Sequence, residues 1–571
     1  MILETKIDGL LYSLDTDEQV ATVKRYEGNA KEVVIPESFF HEGIVYMVTS
    51  IEEYAFAYCS SLTVINIPEG VASIGICGFY NCSSLTTINI PKSVMGIGES
   101  AFFGCSSLAT IIIPEGVTSI GKSAFFGCSS LISITIPKSV TSIKECAFAH
   151  CSSLIDIVVA EGNTMYDSRE GCNAIIETNS NTLVVGCAKT VISEGVASIE
   201  EKAFYNCRSL TTINIPKSVM SIGEDAFHDC RNLTTITICK GVTSIGRSAF
   251  ANCISLTTIT IPEGVTSIGW GALNNCRSLT TITIPEGVAN IESCAFMHCK
   301  RLTAINISEG VTSIGYSAFT GCSSLTDINI PKSVTSIDRS AFSGCSSLTA
   351  IIIPEGVTSI REWAFSNCDS LNTIIVAKGN TMYDSREGCN AVIETNSNTL
   401  VVGCAKTVIP KSVTSIGDWA FSNCHSIIAI TIPKSVTSIG GAAFYECSRL
   451  TAMDIPEGVT SIGEYAFYGC NSLTAINIAK SVTSIGKEAL KNSGITYLTI
   501  LGKPTIDKQA FEGCNKLTNI FCNSEENLLA EEAFDNLDLS RITLYVPESA
   551  IETYKNIKPR VGSVRVCRFF E

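Results

Sequence analysis

The hydrophobic residues of this chain follow a pattern that repeats along most of its length. In one repeat, Leu85, Ile88 and Ile90 alternate with polar residues, a proline follows, and Val94 and Ile97 come after it. The Ile-x-Ile alternation with Thr and Asn neighbours predicts a short strand, which the proline closes because it cannot donate to a strand ladder. The Val-x-x-Ile part predicts a second extended segment, and the x-x-Ala-Phe-x-x-Cys part predicts a helical or 3₁₀ turn.

The cysteine of each repeat shows the period most clearly. It recurs every 23 residues in runs separated by two intervals of 56, and one repeat near the end is two residues shorter. These positions are Cys59, Cys82, Cys105, Cys128, Cys151, Cys207, Cys230, Cys253, Cys276, Cys299, Cys322, Cys345, Cys368, Cys424, Cys447, Cys470 and Cys514. One repeat buries too little to fold alone, so we expect stacked turns whose Phe, Leu, Ile and Cys positions form continuous columns inside a solenoid.

The repeat unit resembles the leucine-rich repeats of the BspA-like, or Treponema-type, family. The matching pattern is Ala-Phe-x-x-Cys-x-x-Leu-x-x-Ile-x-Ile-Pro-x-x-Val-x-x-Ile, and it covers about residues 49 to 547. The resemblance implies a right-handed, curved superhelix with a parallel β-sheet on its concave side, short extended and 3₁₀ or helical turns elsewhere, and β-rich caps. It also implies extracellular or surface-attached proteins that bind host proteins or other cells.

Three regions follow from the extent of the repeat. Residues 1–48 are expected to form a β-hairpin cap, and residues 49–520 the leucine-rich repeat solenoid. Hairpin insertions at about 161–193 and 378–410 account for the two long intervals between cysteines. Residues 521–571 are expected to hold the last turn and a C-terminal cap, since solenoids need polar ends for solubility.

Charge and terminal sequence narrow the possible partners and compartments. The 40 basic and 55 acidic residues give a net charge of −15, which argues against a nucleic-acid partner, because that would need a basic face. The N-terminus lacks the basic start and apolar run of a secretory signal, and no apolar segment is long enough to span a membrane. The resemblance implies the cell surface or secretion, and the sequence leaves the cytoplasm open.

Candidate chemistry for an enzyme is missing from the sequence. The 27 cysteines include no C-x-x-C pair of the kind typical of zinc sites, and the ladder cysteines are expected to be core residues. Histidines beside ladder cysteines, such as His150 and His425, occupy positions that hold Tyr, Asn or Gly elsewhere. We therefore expect no catalytic residue, no cofactor and no metal.

The two insertions are nearly identical to each other. Residues 163–190 recur at 380–407 with one change, Ile175 against Val392. Recent duplication or a structural need explains such fidelity, and a shared binding role is the alternative. The loops that lead into the hairpins carry an aromatic residue, an acid and an arginine, which are candidates for partner contact because such residues are enriched in binding hot spots. These candidates are Tyr166, Asp167, Arg169, Tyr383, Asp384 and Arg386.

Four insertion cysteines are candidates for disulfides. If Asn179 and Ser180 form the hairpin turn, Cys172 and Cys187 face each other across the strands. In an oxidising compartment this pair could close a disulfide, and a thiol pair merely packed across the hairpin is the alternative. The second copy repeats the arrangement with Cys389 and Cys404.

Two further surfaces are candidates for partner binding. Trp363 and Trp419 occupy the same repeat position on either side of the second insertion, where they form an aromatic patch if the position is exposed; otherwise they cover the flank of the solenoid. The outward positions of the strands form a nearly uncharged hydroxyl and amide surface that can support the strands by packing or hold an extended partner. Its central members are Thr235, Thr237, Thr258 and Thr260.

The function expected from these patterns is binding. We expect a non-enzymatic, adhesin-like protein, displayed at the cell surface or secreted, that engages a protein or glycan partner on host or neighbouring cells through its solenoid. The alternative is an intracellular scaffold or assembly protein with no surface role.

Overall fold

The computed structural model describes residues 2–525, 531–534, 537–555 and 561–567, in two compact units. Unit 1 comprises Met1–Val288 and unit 2 comprises Ala289–Glu571. Each unit is a parallel β-solenoid built from turns of about 23 residues, as the repeat predicted. The parts of the predicted C-terminal cap at 526–530, 535–536, 556–560 and 568–571 lie outside the described residues.

Most turns contribute one strand to a series of short parallel sheets, whose outward side we call the Thr face. These strands alternate between exposed polar and buried apolar residues, as in Thr235–Ile238, where Ile236 and Ile238 point into the core. In unit 1 they are Glu32–Val34, Val64–Asn66, Thr87–Asn89, Ser133–Ile136, Asp156–Val159, Thr212–Ile215, Thr235–Ile238, Thr258–Ile259 and Thr281–Ile284. In unit 2 they are Ala304–Ile307, Ala350–Ile353, Thr373–Val376, Ala452–Ile455, Ala475–Ile478, Tyr497–Ile500, Asn519–Cys522, Thr543–Val546 and Ser563–Val566.

A second set of very short strands forms what we call the Ser-Ile sheet. In unit 1 they are Ser73–Ile74, Gly96–Ile97, Ser119–Ile120, Ser142–Ile143, Ser198–Ile199, Ser221–Ile222, Ser244–Ile245 and Ser267–Ile268. In unit 2 they are Asn290–Ile291, Ser313–Ile314, Ser336–Ile337, Ser359–Ile360, Ser415–Ile416, Ser438–Ile439, Ser461–Ile462, Ser484–Ile485 and Thr505–Ile506. Equivalent residues pair in parallel register, for example Ser221 with Ser244.

The ends of the chain add strands and the few helical segments. Near the N-terminus, successive strands pair antiparallel: Ile2–Ile7 with Leu10–Asp15, and Leu10–Asp15 with Val20–Tyr26. A second antiparallel pair joins Ser38–His41 and Ile44–Ile51. The 3₁₀ segments are Arg169–Gly171, Arg386–Gly388, Glu531–Phe534, Leu539–Arg541 and Glu548–Ala550, and one α-helix spans Ile551–Lys555. Among the described residues, no helix has the length and apolar character needed to cross a membrane.

The third side of each turn surrounds the repeated phenylalanine. The N–H groups of Ser248, Phe250 and Asn252 each donate to a carbonyl of the next turn at 2.8 Å. Ser248 and Asn252 have φ angles of 49° and 61°, in the left-handed region. Small or Asn-like residues suit such positions because bulky side chains are strained there.

Columns of like residues fill the core. The Phe250 ring stacks on Phe227 with centroids 5.3 Å apart, and both are fully buried. The Cys253 thiol donates to the Phe227 carbonyl at 3.2 Å. Burial raises the pKa of the Cys253 thiol well above its usual range, so the thiol stays protonated near neutral pH.

Replacing Phe250 with alanine is expected to destabilise the protein strongly. The change empties one position of the phenylalanine column and removes a ring-ring contact, so the free energy of unfolding should fall by about 3–5 kcal/mol. Denaturant unfolding followed by circular dichroism measures the effect. The exposed Thr258→Ala variant is the control, expected to change stability by about 0.5 kcal/mol or less. A loss under about 1 kcal/mol in Phe250→Ala would contradict the packing described here.

Candidate functional site

Each insertion is a three-stranded unit that joins the Ser-Ile sheet. In the first copy, Ala174–Glu177 pairs antiparallel with both Tyr166–Asp167 and Thr182–Gly186. Thr182–Gly186 then pairs in parallel with Ser198–Ile199, so the hairpin takes the place of one short strand. The second copy repeats this arrangement with Tyr383–Asp384, Ala391–Glu394, Thr399–Gly403 and Ser415–Ile416.

The two insertion tyrosines are buried, which contradicts their predicted role in partner contact. Tyr166 is 4% exposed and Tyr383 is 6% exposed. The Tyr166 hydroxyl accepts a hydrogen bond from the Ile143 N–H at 2.8 Å, and the Tyr383 hydroxyl accepts one from the Ile360 N–H at 3.3 Å. Each tyrosine therefore satisfies a strand N–H of the turn that precedes its insertion.

The Asp-Arg pairs that follow these tyrosines connect the loop before each hairpin to the hairpin turn through hydrogen bonds. The Arg169 guanidinium donates to both Asp167 oxygens at 2.8 and 2.7 Å, and to the Asn181 side-chain oxygen at 2.9 Å. Burial would raise the pKa of Asp167, but the hydrogen bonds from Arg169 outweigh it and hold the pKa below its usual value. Asp384 and Arg386 repeat the pair. All four side chains are partly exposed, so they stay candidates for partner contact.

The predicted disulfides do not form in this structure. The hairpin register near the turn is the predicted one, with Glu177 opposite Thr182, but a bulge between Ile175 and Ile176 shifts the rest by one residue. Cys172 and Cys187 are consequently not directly opposite each other, and both are free. Register shifts of this kind re-aim side chains at the end of a hairpin.

The insertion thiols make other contacts instead. Cys187 donates to the Asn173 carbonyl at 3.3 Å, and its equivalent Cys404 donates to the Asn390 carbonyl at the same distance. In the second copy the bulge lies between Val392 and Ile393, and Cys389 and Cys404 are free as well. In this structure both insertions therefore have packed thiols, which is the alternative to a disulfide.

The two tryptophans beside the second insertion contact each other. The rings of Trp363 and Trp419 meet edge to face, with centroids 4.6 Å apart, and both residues are partly buried. The Arg339 guanidinium lies 4.0 Å above the Trp363 ring, and the Tyr445 ring lies 5.8 Å from that of Trp419. The structure therefore brings together these two predicted residues as one aromatic cluster.

The predicted threonines lie on the exposed side of their strands. Thr235, Thr237, Thr258 and Thr260 are all exposed, and Thr235 pairs in register with Thr258. The flanking strands of unit 1 continue this uncharged surface with Thr212, Asn214, Thr281 and Thr283. Rows of hydroxyl groups offer both donors and acceptors to a bound molecule.

The sequence did not predict a cavity that opens beside the second insertion. Its volume is about 300 Å³, and it lies between the turn of Phe365, the hairpin strand at Val402 and the turn of Phe421. The corresponding space at the first insertion is about 20 Å³. The residues that flank the two insertions differ, and the tryptophans Trp363 and Trp419 at the second were the feature of the sequence that could have indicated this cavity.

The described side chains offer no grouping typical of a reaction centre. Within the described ranges, no three His, Cys, Asp or Glu residues are placed to hold a metal ion. His150 contacts the Asn206 side chain, and His425 contacts those of Asn367 and Ser448. Burial raises the pKa of the partly buried Cys424 thiol to about 11, so this thiol is not activated as a nucleophile.

The repeat and its solenoid geometry identify the family. The sequence model of the BspA type leucine rich repeat region matches residues 45–169, 184–303, 268–386, 403–505 and 503–557. The chain belongs to the BspA-type leucine-rich repeat family. A comparison of this BspA-type protein with curated proteins gave no match.

Solved structures of similar proteins share the repeat fold. A leucine-rich repeat protein from Bacteroides ovatus ATCC 8483 is 31% identical, with a TM-score of 0.50 over 66% of this chain and 95% of that one. One from Eubacterium ventriosum ATCC 27560 is 23% identical, with a TM-score of 0.47 over 64% and 95%. A leucine rich cell surface protein from Faecalibacterium prausnitzii A2-165 is 21% identical, with a TM-score of 0.35 over 100% and 96%.

Replacing Tyr166 with phenylalanine tests the structural role of the buried hydroxyl. The change keeps the ring but leaves the Ile143 N–H without its acceptor, so the free energy of unfolding should fall by about 1–3 kcal/mol. Chemical denaturation measures it, with Tyr497→Phe as the matched control because Tyr497 is exposed. Equal stability of Tyr166→Phe and wild type would show that the hydroxyl does not hold this strand.

Proposed function

We propose that this BspA-type protein is a non-enzymatic binding protein, displayed at the cell surface or secreted, that holds a protein or glycan partner against its Thr face. The observation that carries the proposal is the wide, uncharged and regular surface around Thr235, Thr237, Thr258 and Thr260. The resemblance to surface-attached relatives agrees with this compartment.

The chemistry of the Thr face suits an extended partner. Parallel strands lie about 4.8 Å apart, so the hydroxyl groups form rows at a spacing close to that of strands. Each hydroxyl can donate one hydrogen bond and accept two, and no charge has to be desolvated when a partner covers the surface. Because the core holds the strands rigidly, little conformational entropy is lost on binding.

The insertions and the tryptophan cluster add residues of the types enriched in hot spots. The partly exposed pairs Asp167 with Arg169 and Asp384 with Arg386 are rigid, because each is fixed by several hydrogen bonds. Charged groups held in this way contribute specificity more than affinity. We propose that each pair contributes to the selection of a partner bound within its own unit.

The second candidate function is an intracellular scaffold. The observation that favours it is that Cys187 and Cys404 of the insertions donate hydrogen bonds to backbone carbonyls as thiols. Disulfides form and persist in oxidising compartments, and reduced thiols are typical of the cytosol. A scaffold would use the same solenoid to space or join other components.

A charge introduced on the Thr face should abolish partner binding. Wild type is screened on arrays of glycans and of secreted and cell-surface proteins, and the Thr237→Lys/Thr260→Lys variant is tested on each ligand found. Two lysines add charge that the ligand must desolvate, so we expect at least tenfold weaker binding with unchanged unfolding.

The matched control carries the same substitutions on another side of the same turns. Thr243 and Thr266 are exposed and lie beside the Ser-Ile sheet, so Thr243→Lys/Thr266→Lys should bind like wild type. Loss of binding in this control with full binding in Thr237→Lys/Thr260→Lys would place the site away from the Thr face.

A further inference from the structure

The second insertion interrupts the hydrogen bonds that join successive phenylalanine turns. At the regular turns the phenylalanine N–H donates to the next turn, as from Phe342 to the Ala364 carbonyl at 2.8 Å. The next phenylalanine, Phe365, should donate to Ala420 by the same geometry, but that carbonyl accepts from Gly403 of the inserted hairpin at 2.8 Å. The hairpin strand therefore occupies the Ala420 carbonyl that Phe365 would otherwise use as its acceptor.

The displaced backbone groups of Phe365 have no partner within the described part of the chain. Neither its N–H nor its carbonyl makes a hydrogen bond to the protein, and the N–H of Trp363 also finds no acceptor there. Phe365 is nevertheless only 8% exposed. Buried backbone groups are nearly always paired, so two unpaired groups on one buried residue mark a place where another molecule can bond.

Trp363 and Phe365 both line the cavity of about 300 Å³. Its walls include the apolar side chains of Phe365, Leu371, Val402 and Phe421. The hairpin closes tightly against the following turn, since a Cβ added at Gly403 would overlap the Phe421 ring. Pockets for small ligands have volumes of about 300–1,000 Å³ and combine apolar walls with a few polar groups.

The tryptophan pair forms part of the cavity wall. Trp363 and Trp419 line the cavity, and their φ angles of 59° and 58° are the left-handed values that this repeat position has in other turns, such as that of Ser248. The charged wall residues are of both signs, namely Arg361, Glu362 and Asp418, so the wall does not select a strongly charged ligand.

The first insertion provides an internal comparison. Its hairpin is almost identical, but Cys146 and Lys202 stand where the tryptophans stand in the second. The His150 N–H still donates to the Tyr205 carbonyl at 3.1 Å, which joins the two turns, and the remaining space of about 20 Å³ suits roughly one water. The equivalent Asn367 N–H makes no such bond to the described residues. The N–H and carbonyl of the buried Phe148 at the first insertion are also unpaired among the described residues. The two insertions therefore differ in the volume of the space and in the residues at its flanks.

We infer that the cavity beside the second insertion binds a neutral aromatic group that carries a hydrogen-bond acceptor. The aromatic part would pack against the tryptophans and the apolar wall, where ring pairs favour edge-to-face and offset contacts. The acceptor would receive hydrogen bonds from the unpaired N–H groups of Trp363 and Phe365. The group comes either from a free small molecule or from a side chain of a protein partner, and the site stands independently of the proposed Thr-face function.

The test uses two probes and the tryptophans of the protein itself. N-acetyl-L-phenylalaninamide represents a phenylalanine within a peptide, and 4-ethylphenol represents a free aromatic molecule. In a Trp270→Phe variant only the two cavity tryptophans remain, because the chain has three in all. Titration with excitation at 295 nm should give a saturable change in their emission. A tenfold preference for the amide assigns the site to a partner's side chain, and the reverse assigns it to a free molecule.

A second variant locates the binding independently of fluorescence. Trp363→Cys/Trp419→Lys installs the residues of the first insertion, and ligand-observed NMR should show at least tenfold weaker binding of the better probe. Lys202→Ala, at the first insertion, should bind like wild type. Absence of saturable binding by both probes would overturn the inference, as would unchanged affinity in Trp363→Cys/Trp419→Lys. If that variant fails to fold, the titration of Trp270→Phe decides alone.

Discussion

Backbone hydrogen bonds between successive turns are the constraint on which this structure depends. An N–H of one turn must find a carbonyl of the next at the same place, as Phe250 finds Ala272. Every turn must therefore have nearly the same length and shape, which explains the period of 23 residues. Equivalent residues then lie above one another, so phenylalanine packs on phenylalanine, and cysteine thiols such as that of Cys253 bond a carbonyl of the preceding turn.

The same constraint limits what the molecule can do. A regular stack places like groups in rows, whereas catalysis needs unlike groups that converge on one point. Rows of threonines suit an extended surface for binding. The stack is interrupted at the two insertions, and there the hairpin takes over one carbonyl and leaves other backbone groups unpaired within the described residues. The second interruption has room for a ligand, and the first has almost none.

The fold was predictable because its signal is repeated many times. The alternation that placed Thr235 outward and Ile236 inward is confirmed by their burial, and the family by the matching repeats. The insertions were less predictable, because each of their contacts occurs only twice. The bulge beside Ile175 depends on how the hairpin packs, and so does the burial of Tyr166. The cavity arises from residues on the flanks, which no pattern within the nearly identical hairpins could reveal.

The compartment is the most direct test of the proposal that this is a surface binding protein. Intact cells of the source organism are treated with a protease, and the released peptides are identified by mass spectrometry alongside cytosolic marker proteins. The account predicts peptides from this chain without peptides from the markers. Absence of its peptides, with the protein abundant in the cell lysate, would contradict the surface role and favour the intracellular scaffold.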